Sequence, residues 1–143
     1  MNGIYRSDEG ERQVRERYLA FLKHRPVPHC QIRVPTSQGQ TFVIASGRED
    51  APALLLFHGG AANSAMWMGD VRAFAEVFRV YSVDIIGEAG LSAPSRPSLA
   101  SDAYAIWIDE VLQGLSLARA SIVGMSLGGA GEPRSQRPGG LSA

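Results

Sequence analysis

The run Pro52-Ala53-Leu54-Leu55-Leu56-Phe57-His58-Gly59-Gly60 is apolar until it meets a histidine and two glycines. An uninterrupted apolar run of this length, without the alternation of a half-exposed strand, marks a strand covered on both faces, as in a parallel sheet. Two more strands are predicted downstream, in "RVYSVDI" (79–85) and "ASIVGMS" (120–126). Between them lie two segments with helical spacing of apolar residues, "SAMWMGDVRAFAEVF" (64–78) and "SDAYAIWIDEVLQGLSL" (101–117). In the first, Met66, Val71, Phe74 and Phe78 fall on or near one face. Strand, helix, strand, helix, strand in this order predicts an α/β fold, with right-handed crossovers and helices covering a mostly parallel sheet.

Two elements precede this core. "SDEGERQVRERYLAFLKHR" (7–25) carries Val14, Tyr18, Phe21 and Leu22 at helical intervals, with Asp8 and Glu11 at capping-box spacing. Pro26 and Pro28 end it. "QIRVPTSQGQTFVIASG" (31–47) reads as a hairpin with Gly39 in its turn.

A chain of 143 residues is one domain at most and long enough to bury a core. Lys+Arg and Asp+Glu stand at 14 each, which removes the electrostatic case for nucleic acid or an anionic membrane as the main partner. The single cysteine, Cys30, excludes an internal disulfide and fits a reducing compartment. The N-terminus is charged where a secretion signal is apolar, and the longest apolar run is too short to span a bilayer. A cytoplasmic protein is therefore expected. Neither H-E-x-x-H nor C-x-x-C occurs, and no Gly-Lys-Ser/Thr follows a glycine loop, so neither a metal nor a nucleotide cofactor is expected.

Chemistry concentrates at the ends of the predicted strands. Gly124-Met125-Ser126-Leu127-Gly128 spells G-x-S-x-G directly after Ile122 and Val123. In that setting a serine sits on a sharp strand-to-helix turn with its hydroxyl exposed, as a nucleophile requires. Upstream, His58-Gly59-Gly60 ends the apolar strand, and glycines there let a backbone N–H approach a carbonyl oxygen. Between the two lies D-x-x-G-x-x-G-x-S, at Asp84, Gly87, Gly90 and Ser92.

With these three landmarks in this order, the chain resembles the first part of an α/β-hydrolase, the family of serine esterases and lipases, over roughly residues 30–129. The resemblance implies a nucleophile at Ser126, oxyanion-hole N–H groups at Leu127 and at Gly60 or Ala61, and a carboxylic ester or similar acyl substrate. His58, Gly59, Gly124 and Gly128 would then be structural residues near the site. It further implies a larger sheet, and a catalytic Asp or Glu and then a His after the nucleophile.

The 17 residues after Ser126 contain neither His nor Asp, and Glu132 does not stand where the family places its acid. Three segments are expected: a helical extension (1–29), a partial hydrolase domain (30–129) and a disordered tail (130–143). The family pattern holds through Gly129 and stops within a residue or two, which is the expectation for a frameshift or early junction near codon 130. Two functions compete: a serine hydrolase, and a non-catalytic fragment with no complete triad. Ser126 is then expected to lack activation, and the isolated chain to be poorly soluble or partner-dependent because the strand ending at Gly124 would have a bare edge. The remaining residues have plainer readings. His58 is expected to brace the loop, Asp84 to cap its own glycine loop, Trp67 and Trp107 to fill the core, and His24 and His29 to face solvent. Oligomeric state is not legible.

Overall fold

The structure is a computed structural model and describes residues 6–23, 27–59, 63–98 and 100–124. In chain order the elements are α1 (Asp8–Leu22), β1 (His29–Thr36), β2 (Gly39–Ser46), β3 (Ala53–Phe57), a 3-10 turn (Ser64–Trp67), α2 (Val71–Ala75), β4 (Arg79–Val83), α3 (Ala103–Gly114) and β5 (Ser121–Gly124). The five strands form one sheet in the order β1-β2-β4-β3-β5. β3 pairs in parallel with both β4 and β5, whereas β1–β2 and β2–β4 are antiparallel. The described sheet is thus mixed: its parallel part is the predicted strand–helix–strand core, and its antiparallel part is the hairpin.

Strand parity separates the two faces. Along β3, Leu55 and Phe57 join Val43, Val83, Trp107, Ile108, Val111 and Ile122 in one cluster, which α3 covers. Leu54 and Leu56 point the other way, onto Trp67, Val71 and Val80 beside the 3-10 turn and α2. On that second face, Phe42 and Ile44 of β2 receive Tyr18 and Leu22 of α1. Side chains of alternate strand residues project to opposite faces, so a run that is apolar at every position can bury both faces only between two helical layers. Leu54, Leu55, Leu56 and Phe57 do so, none more than 2% exposed.

The segment 64–78 does not form the single helix expected. It breaks into the 3-10 turn and the short α2. Asn63 caps the turn by accepting from the Ala65 N–H, and Gly69 and Asp70 lie in the turn that separates the two pieces. Trp67 and Val71 are the buried contacts, while Met66 is 39% exposed. At α1 the cap is Ser7, whose Oγ accepts from the Gly10 N–H at 3.0 Å, one residue earlier than the Asp8 expected. Asp8, Glu9 and Glu11 occupy the first turn, where the helix dipole favours negative charge. Only Tyr18 and Leu22 of the predicted apolar stripe are buried; Phe21 is 60% exposed.

Candidate active site

Parallel pairing brings the ends of β3 and β5 together. In their register Leu54 faces Ser121 and Phe57 faces Gly124, so the chain leaves both strands at the same level on the same edge of the sheet. β4 ends there too, with Val83 opposite Phe57. β4 flanks β3 on one side and β5 on the other, and such a reversal of strand order is where α/β sheets open a ligand crevice beyond their carboxyl ends.

Side chains lace the loops that leave β3 and β4. His58 is fully buried, and its Nε2 accepts from the Ile85 N–H at 2.9 Å. Nε2 is therefore unprotonated; Nδ1 carries the proton and donates it to the Gly59 carbonyl at 2.7 Å. The Gly59 N–H in turn reaches Met66 Sδ at 3.2 Å. Asn63 donates from Nδ2 to the Ala89 carbonyl at 2.9 Å.

Asp84 is the hub of the second loop. Its carboxylate is fully buried; Oδ1 accepts from Tyr18 Oη and from the Ser64 N–H, each at 2.8 Å, and Oδ2 accepts from the Leu91 N–H at 3.0 Å. Burial pushes the Tyr18 hydroxyl well above its ordinary range, and the Asp84 charge and hydrogen bond add to this. Ser92 Oγ donates to the Asp84 carbonyl at 2.6 Å and accepts from the Phe42 N–H at 2.8 Å, tying the loop to β2. The glycines make room for this packing. A Cβ on Gly90 would stand 2.6 Å from Asp84 Oδ2, and Gly87 adopts φ +78° with Ser95 and Arg96 against it.

Of the residues that the resemblance implies for the site, His58, Gly59 and Gly124 fall in this region beside Asp84, Gly87, Gly90 and Ser92; Gly59 and Gly124 are half-buried. Ser126, Leu127, Gly128, Gly60 and Ala61 lie outside the described residues, as does His24. His29 starts β1 opposite Ser46, and Ser46 pairs with Val80 near the beginning of β4. It therefore stands at the far end of the sheet from Gly124. Trp67 and Trp107 are core residues, 5% and 1% exposed. Among the described residues no three His, Cys, Asp or Glu gather as a metal site, and no helix is long and apolar enough to cross a membrane. Tyr18, Asn63 and Ser64 were not legible as parts of the loop network. Tyr18 reads as one member of an apolar stripe; its signal is that a tyrosine buried by such a stripe must find a partner for its hydroxyl.

The family model described as the alpha/beta hydrolase fold matches residues 52–131, more than half of the chain. The chain belongs to this family. It is 42% identical over 104 residues to carboxylesterase YbfK of Bacillus subtilis, a match covering 73% of this chain and 35% of that protein. A second relative from the same organism, the uncharacterized carboxylesterase nap, is 39% identical over 123 residues, covering 86% of this chain and 41% of its own. Among solved structures, the B. subtilis carboxylesterase CesB (YbfK) superposes with a TM-score of 0.85 at 36% identity, over 93% of this chain and 47% of that one. The B. subtilis naproxen esterase (carboxylesterase NP) does so with a TM-score of 0.84 at 34% identity, over 97% and 49%. The chain thus spans less than half the length of these relatives.

Proposed function

We propose that this chain carries the nucleophile and oxyanion part of a serine carboxylesterase site that acts on small carboxylic esters. One observation carries the reading: the register Phe57 opposite Gly124 starts the two catalytic loops side by side. Ser126 follows Gly124 by two residues, and Gly60 follows Phe57 by three. Adjacent strands lie about 4.8 Å apart, so both loops leave within reach of one bound carbonyl group.

In this reading Ser126 Oγ attacks the ester carbonyl carbon as its proton passes to a base. The carbonyl π pair moves onto oxygen, and the N–H groups of Leu127 and of Gly60 or Ala61 hold the resulting oxyanion. Collapse of the tetrahedral adduct expels the alcohol and leaves an acyl-serine, which water then hydrolyses. His58 does not serve as the base, because both its nitrogens are engaged in holding the loop. The segments 30–129 as the hydrolase portion and 1–29 as its helical extension belong to the same proposal.

A second reading is that the chain is non-catalytic. The places of His58 and His29 favour it, since neither offers a free imidazole near the end of β5. Labelling with a fluorophosphonate probe, with Ser126→Ala as control, separates the two. Stoichiometric labelling lost in the variant supports the esterase; an unlabelled wild type supports the second reading.

A further inference from the structure

We infer that Tyr18 is a positioning residue for the acyl-transfer site proposed above, acting through the buried Asp84 carboxylate on the segment that follows β3; the inference rests on that reading of the site. Tyr18 lies on α1, outside the residues that the family model matches. Yet it is only 3% exposed, and its hydroxyl ends on Asp84 Oδ1 at 2.8 Å, across 66 residues of sequence. The same oxygen accepts from the Ser64 N–H.

Ser64 opens the 3-10 turn, and Asn63 before it is the first described residue after 60–62. Gly59 is the last described residue before that segment. Both flanks are tied to the β4 loop. His58 holds the Gly59 carbonyl while accepting from Ile85, and Asn63 bonds Ala89 as Ser64 bonds Asp84. On Asp84 itself, two of the three side-chain bonds come from backbone N–H groups of the loops being positioned, Ser64 and Leu91. The third comes from a rigid ring fixed elsewhere: Tyr18 packs edge-on to Phe42, with ring centroids 6.2 Å apart. Tyr18 is thus the outside reference against which the carboxylate, and through it Ser64, is held. Tyr18→Phe keeps the ring and its packing but frees Oδ1 to follow Ser64. A catalytic group displaced by about 1 Å can lose as much as 100-fold in rate.

The test compares the full chain with Tyr18→Phe and with Leu22→Ala, a buried neighbour in the same cluster that leaves the Asp84 bonds intact. All are studied at equal distance below their melting temperatures. Hydrogen exchange is read at the Ser64 and Leu91 amides. Tyr18→Phe should speed exchange about tenfold at Ser64, which shares Oδ1 with Tyr18, and less at Leu91 on Oδ2, while Leu22→Ala leaves both unchanged. Asp84→Asn should loosen both amides together. Turnover of p-nitrophenyl acetate should fall about 10- to 100-fold in kcat in Tyr18→Phe, with KM within about twofold. Unchanged exchange at Ser64 overturns the inference. So does an unchanged kcat in Tyr18→Phe when Ser126→Ala abolishes turnover. A wild type without Ser126-dependent turnover overturns the underlying reading of the site instead, and exchange at Ser64 then decides the coupling alone.

Discussion

The Ile85 N–H donates to His58 Nε2 at 2.9 Å, joining the first residue past β3 to the second residue past β4. The bond crosses between neighbouring strands where no ladder partner remains for that N–H. His58→Ala removes the acceptor and leaves a cavity. An unsatisfied buried donor costs about 1–3 kcal/mol, and the lost ring adds to it. A urea titration should show this as a lower midpoint with an unchanged slope. A midpoint equal to that of the wild type would mean that the ring does not brace the loop.

Two glycines should respond in opposite directions. Gly90 has Asp84 Oδ2 at 2.6 Å and Cγ at 2.8 Å from where a Cβ would sit, and this carboxylate is held on three sides. Gly90→Ala should destabilise by about 1–3 kcal/mol, as overpacking does. Gly69 meets nothing within 4 Å and its φ is not in the left-handed region. Gly69→Ala should stabilise by about 0.4–1 kcal/mol by restricting the unfolded chain. Thermal melts of the pair check both signs; a Gly90→Ala variant as stable as the wild type would contradict the packing around Gly90, and a destabilised Gly69→Ala would contradict the open space at Gly69.

Much of the fold was legible because burial leaves a pattern. The continuous run Leu54 to Phe57 fits only a strand between two layers, and Trp107, Ile108, Val111 and Leu112 repeat at helical spacing. Gly39, at φ +101°, marks the hairpin turn. The split of 64–78 was hidden because its apolar residues suit a helix, while the cap from Asn63 and the turn at Gly69 decide locally. The candidate site was legible as motif letters, Asp84, Gly87, Gly90 and Ser92, but not as a network. Neither the reach of Tyr18 to Asp84 nor the tautomer of His58 has a periodic signature; both depend on which elements meet in space.

Trp107 anchors the opposite face. Its indole N–H donates to Thr41 Oγ1 at 2.8 Å, and its ring packs edge-on to Phe57 and Tyr104. Thr41→Val is nearly isosteric but leaves the indole without an acceptor. The cost should be about 1–3 kcal/mol. Tryptophan emission in the native state should stay close to that of the wild type, because the ring remains packed, while the urea midpoint falls. A variant as stable as the wild type would show that the indole finds another partner.

The Tyr18–Asp84 bond makes a prediction about alkaline pH. Burial first, then the Asp84 charge and hydrogen bond, raise the Tyr18 hydroxyl above its ordinary value. An unfolded tyrosine titrates near pH 10, at about its reference value. Below that pH both states hold the proton, and the contribution of Tyr18 is fully present. Above it the unfolded chain releases the proton and the native chain does not, so stability falls by up to about 1.4 kcal/mol per pH unit. Tyr18→Phe lacks this titration. At pH 8 it should be less stable than the wild type by about 1.5–3 kcal/mol, the worth of a hydrogen bond to a charged group. Tyr104, also raised by burial and by Glu88, is present in both proteins and cancels in the difference. Urea midpoints measured from pH 8 to above pH 10 should therefore converge, the wild type losing its advantage as pH rises. Curves that stay parallel across that range would show that Tyr18 titrates alike in both states, and that its hydroxyl is not held by a buried carboxylate.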